Sequence, residues 1–124
     1  MLYSLNLHIE HELITALRST LNELPNLNVK AVRENVPLHA EAAQLEADAI
    51  LQVEVNGKQV TLLIEAKNSV FPRDARETLW KLRKLRGALQ EVEGISEALP
   101  MIASKCLSEG AKSFLRSENV GYYE

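Results

Sequence analysis

Three features of this chain predict an α/β fold: a central mixed β-sheet between layers of helix, with elements in the order α-β-β-β-α-β-α-β. Two strand-like runs flank Asn56-Gly57, the strongest short-range signal for a two-residue hairpin. Apolar residues recur at helical spacing on both sides of it, at Ile9, Leu13, Leu17, Leu21 and Leu24, and at Ala75, Leu79, Leu82, Leu85, Leu89 and Val92. Beyond the second stripe, short strand-like and helical runs alternate, which implies parallel crossover pairing.

Taken in order, the first stripe predicts a helix from about Tyr3 to Leu24, ended by Pro25-Asn26. Asn28–Glu34 has the composition of a short strand, interrupted at Asn35-Val36-Pro37. The segment from there to Leu45 is ambiguous, and one reading puts its His39, Glu41 and Gln44 in a loop that enters the hairpin. Hairpin strands follow at Ala47–Val55 and Lys58–Ala66, then a turn through Asn68-Ser69 and Phe71-Pro72, with Pro72 near a first helical position. A second helix spans about Arg73 to Glu91, closed by Gly94. Leu99–Ser104 reads as a buried strand, Ser108 as the cap of a third helix over Glu109–Ser117, and Val120–Tyr123 as a closing strand.

The hairpin turn fixes a register. With Asn56 and Gly57 as the loop, Val55 faces Lys58, Asp48 faces Glu65, and Glu46 faces Lys67. Ala49, Leu51, Val53 and Val55 then share an apolar face with Val60, Leu62 and Ile64, while Asp48, Glu65 and Lys67 share the other. Like charges directly opposite destabilise a sheet, by on the order of a few kcal/mol at an effective dielectric near 20. A divalent cation held by both carboxylates would turn that repulsion into binding, and hard oxygen ligands suit Mg²⁺. The plainer readings are that the strand ends splay or slip so that both acids meet water, and that Lys67 forms a cross-strand salt bridge with Glu46.

An Asp followed one hairpin later by Glu-x-Lys, here Asp48 and Glu65-Ala66-Lys67, resembles the signature of the PD-(D/E)XK nuclease superfamily, with Ala47-Asp48 standing where the family has Pro-Asp. The order of elements matches that family's core over nearly the whole chain. The resemblance implies a restriction-endonuclease-like three-layer sandwich and metal-dependent hydrolysis of phosphodiester bonds, with DNA the expected substrate. It implies that Asp48, Glu65 and the carbonyl of Ala66 hold one or two Mg²⁺ ions, for which Mn²⁺ can substitute. Lys67 would position or help deprotonate a bound water, or neutralise charge on the phosphoryl oxygens. A further acid from the first helix is often recruited; Glu12 and Glu10 are the candidates, and Glu12 is preferred because it falls off the apolar stripe.

The second helix carries Arg73, Arg76, Lys81, Arg83, Lys84 and Arg86, six of the fourteen basic residues, with Trp80 among them. Such a face can track phosphates while Trp80 stacks on an unpaired base, or it can be a solvated surface with Trp80 tucked at its edge or in a dimer contact. His8, His11 and His39 lack metal-ligand spacing and read as surface histidines; Cys106 reads as a small buried residue.

Composition bounds these readings. The 124 residues make one domain, 1–124, either complete or the first domain of a longer protein. A net charge of -3 argues against bulk attraction to nucleic acid, so binding must come from local clustering. One cysteine, no apolar run of membrane-spanning length and no secretory leader make a cytoplasmic protein the expectation. Cutting both strands of a duplex would suggest a homodimer. Two other classes stay open: a catalytically silent nucleic-acid-binding or regulatory module of the defence or toxin–antitoxin type, and an oligomerisation domain that uses Trp80 and the second helix.

Overall fold

The computed structural model describes residues 2–40 and 43–124, with side chains described for 8–40 and 44–124. Its elements run α1 (Leu2–Asn22), β1 (Leu27–Ala40), β2 (Ala43–Val55), β3 (Lys58–Val70), α2 (Pro72–Glu93), β4 (Leu99–Leu107), α3 (Glu109–Ser117) and β5 (Gly121–Tyr123). The five strands form one sheet in the order β1-β2-β3-β4-β5. β1, β2 and β3 are antiparallel, whereas β3, β4 and β5 are parallel, joined by the two helical crossovers. This is the mixed three-layer α/β arrangement that the order of elements predicts. Among the described residues, no helix is long and apolar enough to cross a membrane.

The termini of the elements follow local chemistry. Asn56 and Gly57 take φ of 51° and 82°, as a type I′ turn requires. The backbone N–H of Phe71 donates to Asp74 Oδ2 at 2.9 Å, with Pro72 opening α2. Gly94 closes the helix in the left-handed conformation at φ 71°. Ser108 caps α3 by accepting from the Ala111 amide at 3.1 Å.

Both faces of the sheet are covered. Leu13, Ile14 and Leu17 of α1 pack on Ala49, Leu51, Val53, Ile64, Ala66 and Ala103. On the other face Leu79, Leu82, Leu85 and Leu89 of α2 pack on Ile50, Leu63 and Ile102. The sequence reading assigned core to one face of the hairpin alone. The structure corrects this, because α2 lies over the second face and buries Ile50 and Leu63 completely.

The expected break at Asn35-Val36-Pro37 does not end β1. That strand continues to Ala40, and its partner begins at Ala43, so His39 pairs with Gln44 in a ladder where a loop was expected; Glu41 lies outside the described residues. Asparagine tolerates the left-handed region, and Asn35 adopts φ 51° without leaving the strand. Side-chain alternation loses its phase there. Val32 packs on the α1 side, whereas Val36 and Leu38 pack on the α2 side. Across the ladder, Ala47 faces α2 and Ala49 faces α1, so the phase changes at Asp48 as well.

A carboxylate pair in the fork of the sheet

From Val55–Lys58 to Ala49–Ile64 the β2–β3 ladder keeps the register that the turn dictates, and there it stops. Past this point β2 stays with β1, through Ala47–Val36 and Leu45–Leu38, while β3 stays with β4, through Glu65–Ile102 and Lys67–Ser104. The sheet forks, with Asp48 on one arm and Glu65 on the other. The expected facing of Glu46 and Lys67 is corrected by the same observation: Glu46 pairs with Pro37 on the departing arm.

In the crotch the two acids replace the missing ladder. Glu65 Oε2 accepts the backbone N–H of Asp48 at 3.0 Å, and Asp48 Oδ2 accepts that of Ala66 at 2.8 Å. These bonds satisfy buried amides that splaying would otherwise orphan, and they fix both carboxylates. Glu65 is 0% exposed, and its Oε1 is buried with it. The Lys81 ammonium of α2 lies 2.5 Å from Oε1, as a charge-assisted contact that balances the buried carboxylate. Burial, and then the Glu65 charge, push the Asp48 carboxyl up to about 6, against the opposing pull of the Ala66 amide, Lys81 and Lys67.

Three more charges converge on the pair. Burial and then Asp48 raise the carboxyl of Glu10 on α1, while Lys67 and Lys81 oppose the shift. Burial alone would lower the ammonium of Lys81, but the Glu65 carboxylate beside it raises it. Lys67 borders two small concavities: one of about 170 Å³ with Ile9, Glu10, Ala66 and Asn68, and one of about 220 Å³ with Ser69, Asp74, Glu77, Thr78 and Lys81. A third, apolar groove of about 580 Å³ adjoins the second of them, lined by Leu45, Arg76, Glu77, Trp80 and Lys81. A larger cavity, about 640 Å³, lies at the turn end of the hairpin between Gln59–Thr61, Arg86 and Ile95–Leu99, and holds none of these groups.

Several sequence expectations change place. Glu12 is turned to His8 at 2.9 Å and Lys105 at 3.5 Å; the acid that α1 brings to the pair is Glu10. Ile14, 2% exposed, belongs to the buried stripe, and Glu10 stands one helical turn before it, a signal the Ile9-Leu13-Leu17 stripe alone conceals. Lys81, expected on a phosphate-tracking face, points to Glu65 instead. Of the other basic residues of α2, Arg73 pairs with Glu77 and Arg83 with Glu118, while Lys84 lies 3.7 Å above the exposed ring of Trp80. Arg76 lines the apolar groove, and Arg86 the cavity at the turn end. Cys106 is exposed, not buried; His8 and His11 are surface residues paired with Glu12 and Glu34.

Among the described residues, no three His, Cys, Asp or Glu side chains gather into a ready-made metal cage. The donors nonetheless fit a hard divalent cation. Each carboxylate commits one oxygen to a backbone amide, which leaves one oxygen of each, and that of Glu65 has only the Lys81 ammonium against it. An ion such as Mg²⁺ binds through one or two carboxylates and takes its other ligands from water and phosphate.

Neither a protein-family model nor a curated protein sequence matches the chain. Solved structures do. The protein of unknown function AF1548 superposes with a TM-score of 0.58 at 19% identity, over 94% of this chain and 57% of that one. A repair endonuclease from Pyrococcus abyssi gives 0.52 at 15% identity, over 92% and 46%. EndoMS in its complex with double-stranded DNA gives 0.51 at 16%, over 91% and 42%. The chain thus spans about half the length of these proteins, and at such identities the likeness is one of fold.

Proposed function

We propose that this chain, which has the restriction-endonuclease-like fold, is a metal-dependent nuclease domain that hydrolyses phosphodiester bonds of DNA. One observation carries the reading: the sheet opens where two carboxylates meet, each accepting a backbone amide of the other's strand, with the remaining buried oxygen of Glu65 held only by the Lys81 ammonium. A fold that sought only stability would continue the ladder or protonate the acids. Fold likeness to two proteins described as a repair endonuclease and a DNA-bound EndoMS supports the same reading.

Asp48 and Glu65, with the carbonyl of Ala66, would hold Mg²⁺, or Mn²⁺ in its place. Once bound, such an ion supplies Lewis acidity and a water of lowered pKa. Lys67 stands on the same strand as Glu65, in the concavity it shares with Glu10, where it can orient that water or offset charge on a phosphoryl oxygen. Burial holds the Glu10 carboxyl above its ordinary value, so this group can keep or accept a proton there. Arg76 and Trp80 flank the neighbouring groove, where a guanidinium suits a phosphate and an exposed indole suits the face of a base.

Plasmid and defined single- and double-stranded oligonucleotides test the proposal. Cleavage is expected with Mg²⁺ or Mn²⁺, none with EDTA or from Asp48→Asn, and a strongly lowered rate from Lys67→Ala. Salt-sensitive binding without cleavage under all these conditions would replace the nuclease with a silent binding module.

A further inference from the structure

We propose that Lys81 is a second, movable lysine of this site: it neutralises Glu65 while no divalent ion is present, and turns to a phosphate of the bound strand when one arrives. The inference rests on the metal-dependent reading above and adds a residue that the Asp48/Glu65/Lys67 pattern does not contain.

Glu65 Oε1 is buried, and the Lys81 ammonium lies against it at 2.5 Å. A dication ligated by Oε1 and an ammonium in contact with the same atom repel each other across a low-dielectric space. One of them has to leave. Lys81 is the one that can, because it is a long side chain 35% exposed, whereas Glu65 is completely buried and tied to the Asp48 amide.

Its exit is visible as well. Lys81 borders two concavities at once: the one that holds Lys67, Asp74 and Thr78, and the apolar groove that holds Leu45, Arg76 and Trp80. Glu77, one helical turn earlier, lines both and offers a resting place at the favourable i, i+4 spacing. In the groove the ammonium would stand beside Arg76, so two cations would face a strand whose scissile phosphate lies at the carboxylates. The same lysine therefore opposes ion binding when substrate is absent and supports substrate binding when the ion is present.

Calorimetric titration of Mn²⁺ alone at pH 8 tests the first half, on the wild type, Lys81→Met and Lys81→Arg, with Asp48→Asn as the control for the site. The expected result is an Mn²⁺ dissociation constant lower by about five-fold or more in Lys81→Met and close to wild type in Lys81→Arg. Binding of a short DNA duplex with and without Ca²⁺ tests the second half. Lys81→Met should weaken it by about five-fold or more in Ca²⁺ and leave it unchanged in EDTA. Lys81→Gln takes the place of Lys81→Met in both assays if the methionine variant fails to fold. Equal or weaker Mn²⁺ binding in the neutral variant, or an equal loss of duplex binding in both conditions, overturns the movable lysine and leaves the metal site standing. No Mn²⁺ binding by the wild type or any variant removes the metal-dependent reading, and this inference with it.

Discussion

The two halves of the β2–β3 pair use the same backbone for opposite ends. Near the turn, Ala49–Val55 and Lys58–Ile64 form an unbroken antiparallel ladder whose buried side chains, Ile50 and Leu63 on one face and Leu51 and Ile64 on the other, are sealed under a helix. Beyond Asp48 and Glu65 the ladder is absent, and side-chain carboxylates accept the amides in its place. The first half stabilises the domain through burial and backbone pairing. The second gives up pairing to hold two acids close together in a partly dry setting, which costs stability. Under the proposed function, stability and chemistry are segregated along one hairpin.

That division is open to direct attack. The largest effect belongs to the forked half: Lys67→Ala should lower cleavage roughly 10²–10⁴-fold, with an unfolding midpoint close to wild type, as read by gel assay and by circular dichroism. In the closed half the reverse holds. Leu63→Ala, at a completely buried position, should cost roughly 2–5 kcal/mol in urea denaturation, while any folded fraction keeps its specific activity.

A smaller effect sharpens the contrast through pH. The Asp48 carboxyl lies at about 6 in the folded protein against an ordinary 3.8, so between those values the folded state holds the extra proton. The contribution of this group to the stability of the ion-free protein is therefore highest below about pH 4, falls as pH rises to about 6, and is flat above that. The total is on the order of 1–3 kcal/mol. Urea midpoints measured from pH 4 to 7 should show the decline in the wild type and lose it in Asp48→Asn. Least of all, Gly57→Ala forces an L side chain to φ 82° and should cost about 1 kcal/mol, leaving Mn²⁺ affinity unchanged.

Much of this was legible in the residues, for reasons that are local. Asn56-Gly57 dictates the turn and with it the register as far as Ala49–Ile64. Ser108 and Gly94 mark helix ends, and apolar spacing places α1 and α2. What escaped is long-range. No local signal says that β2 leaves β3 at Asp48, where the β1–β2 arm packs beneath α2 and Asn35 of a third strand takes φ 51°. Lys81 looked like one cation among six until the docking of α2 set it against Glu65. Choosing between Glu10 and Glu12 required knowing which side of α1 meets the sheet, and Ile14 answers that only once it is seen to be buried.

The irregularities of β1 have one more consequence. This strand is fourteen residues long and forms an outer margin of the sheet, a place where a row of free amides and carbonyls invites another chain to add itself. A bulge between Val29 and Ala31, the left-handed Asn35 and the imino nitrogen of Pro37 interrupt that row at intervals too short for a foreign ribbon to zip along it. The opposite margin, β5, is three residues long and offers little to grip. The bends that aim an arm of the sheet at the carboxylates therefore also guard the protein against fibrous self-association.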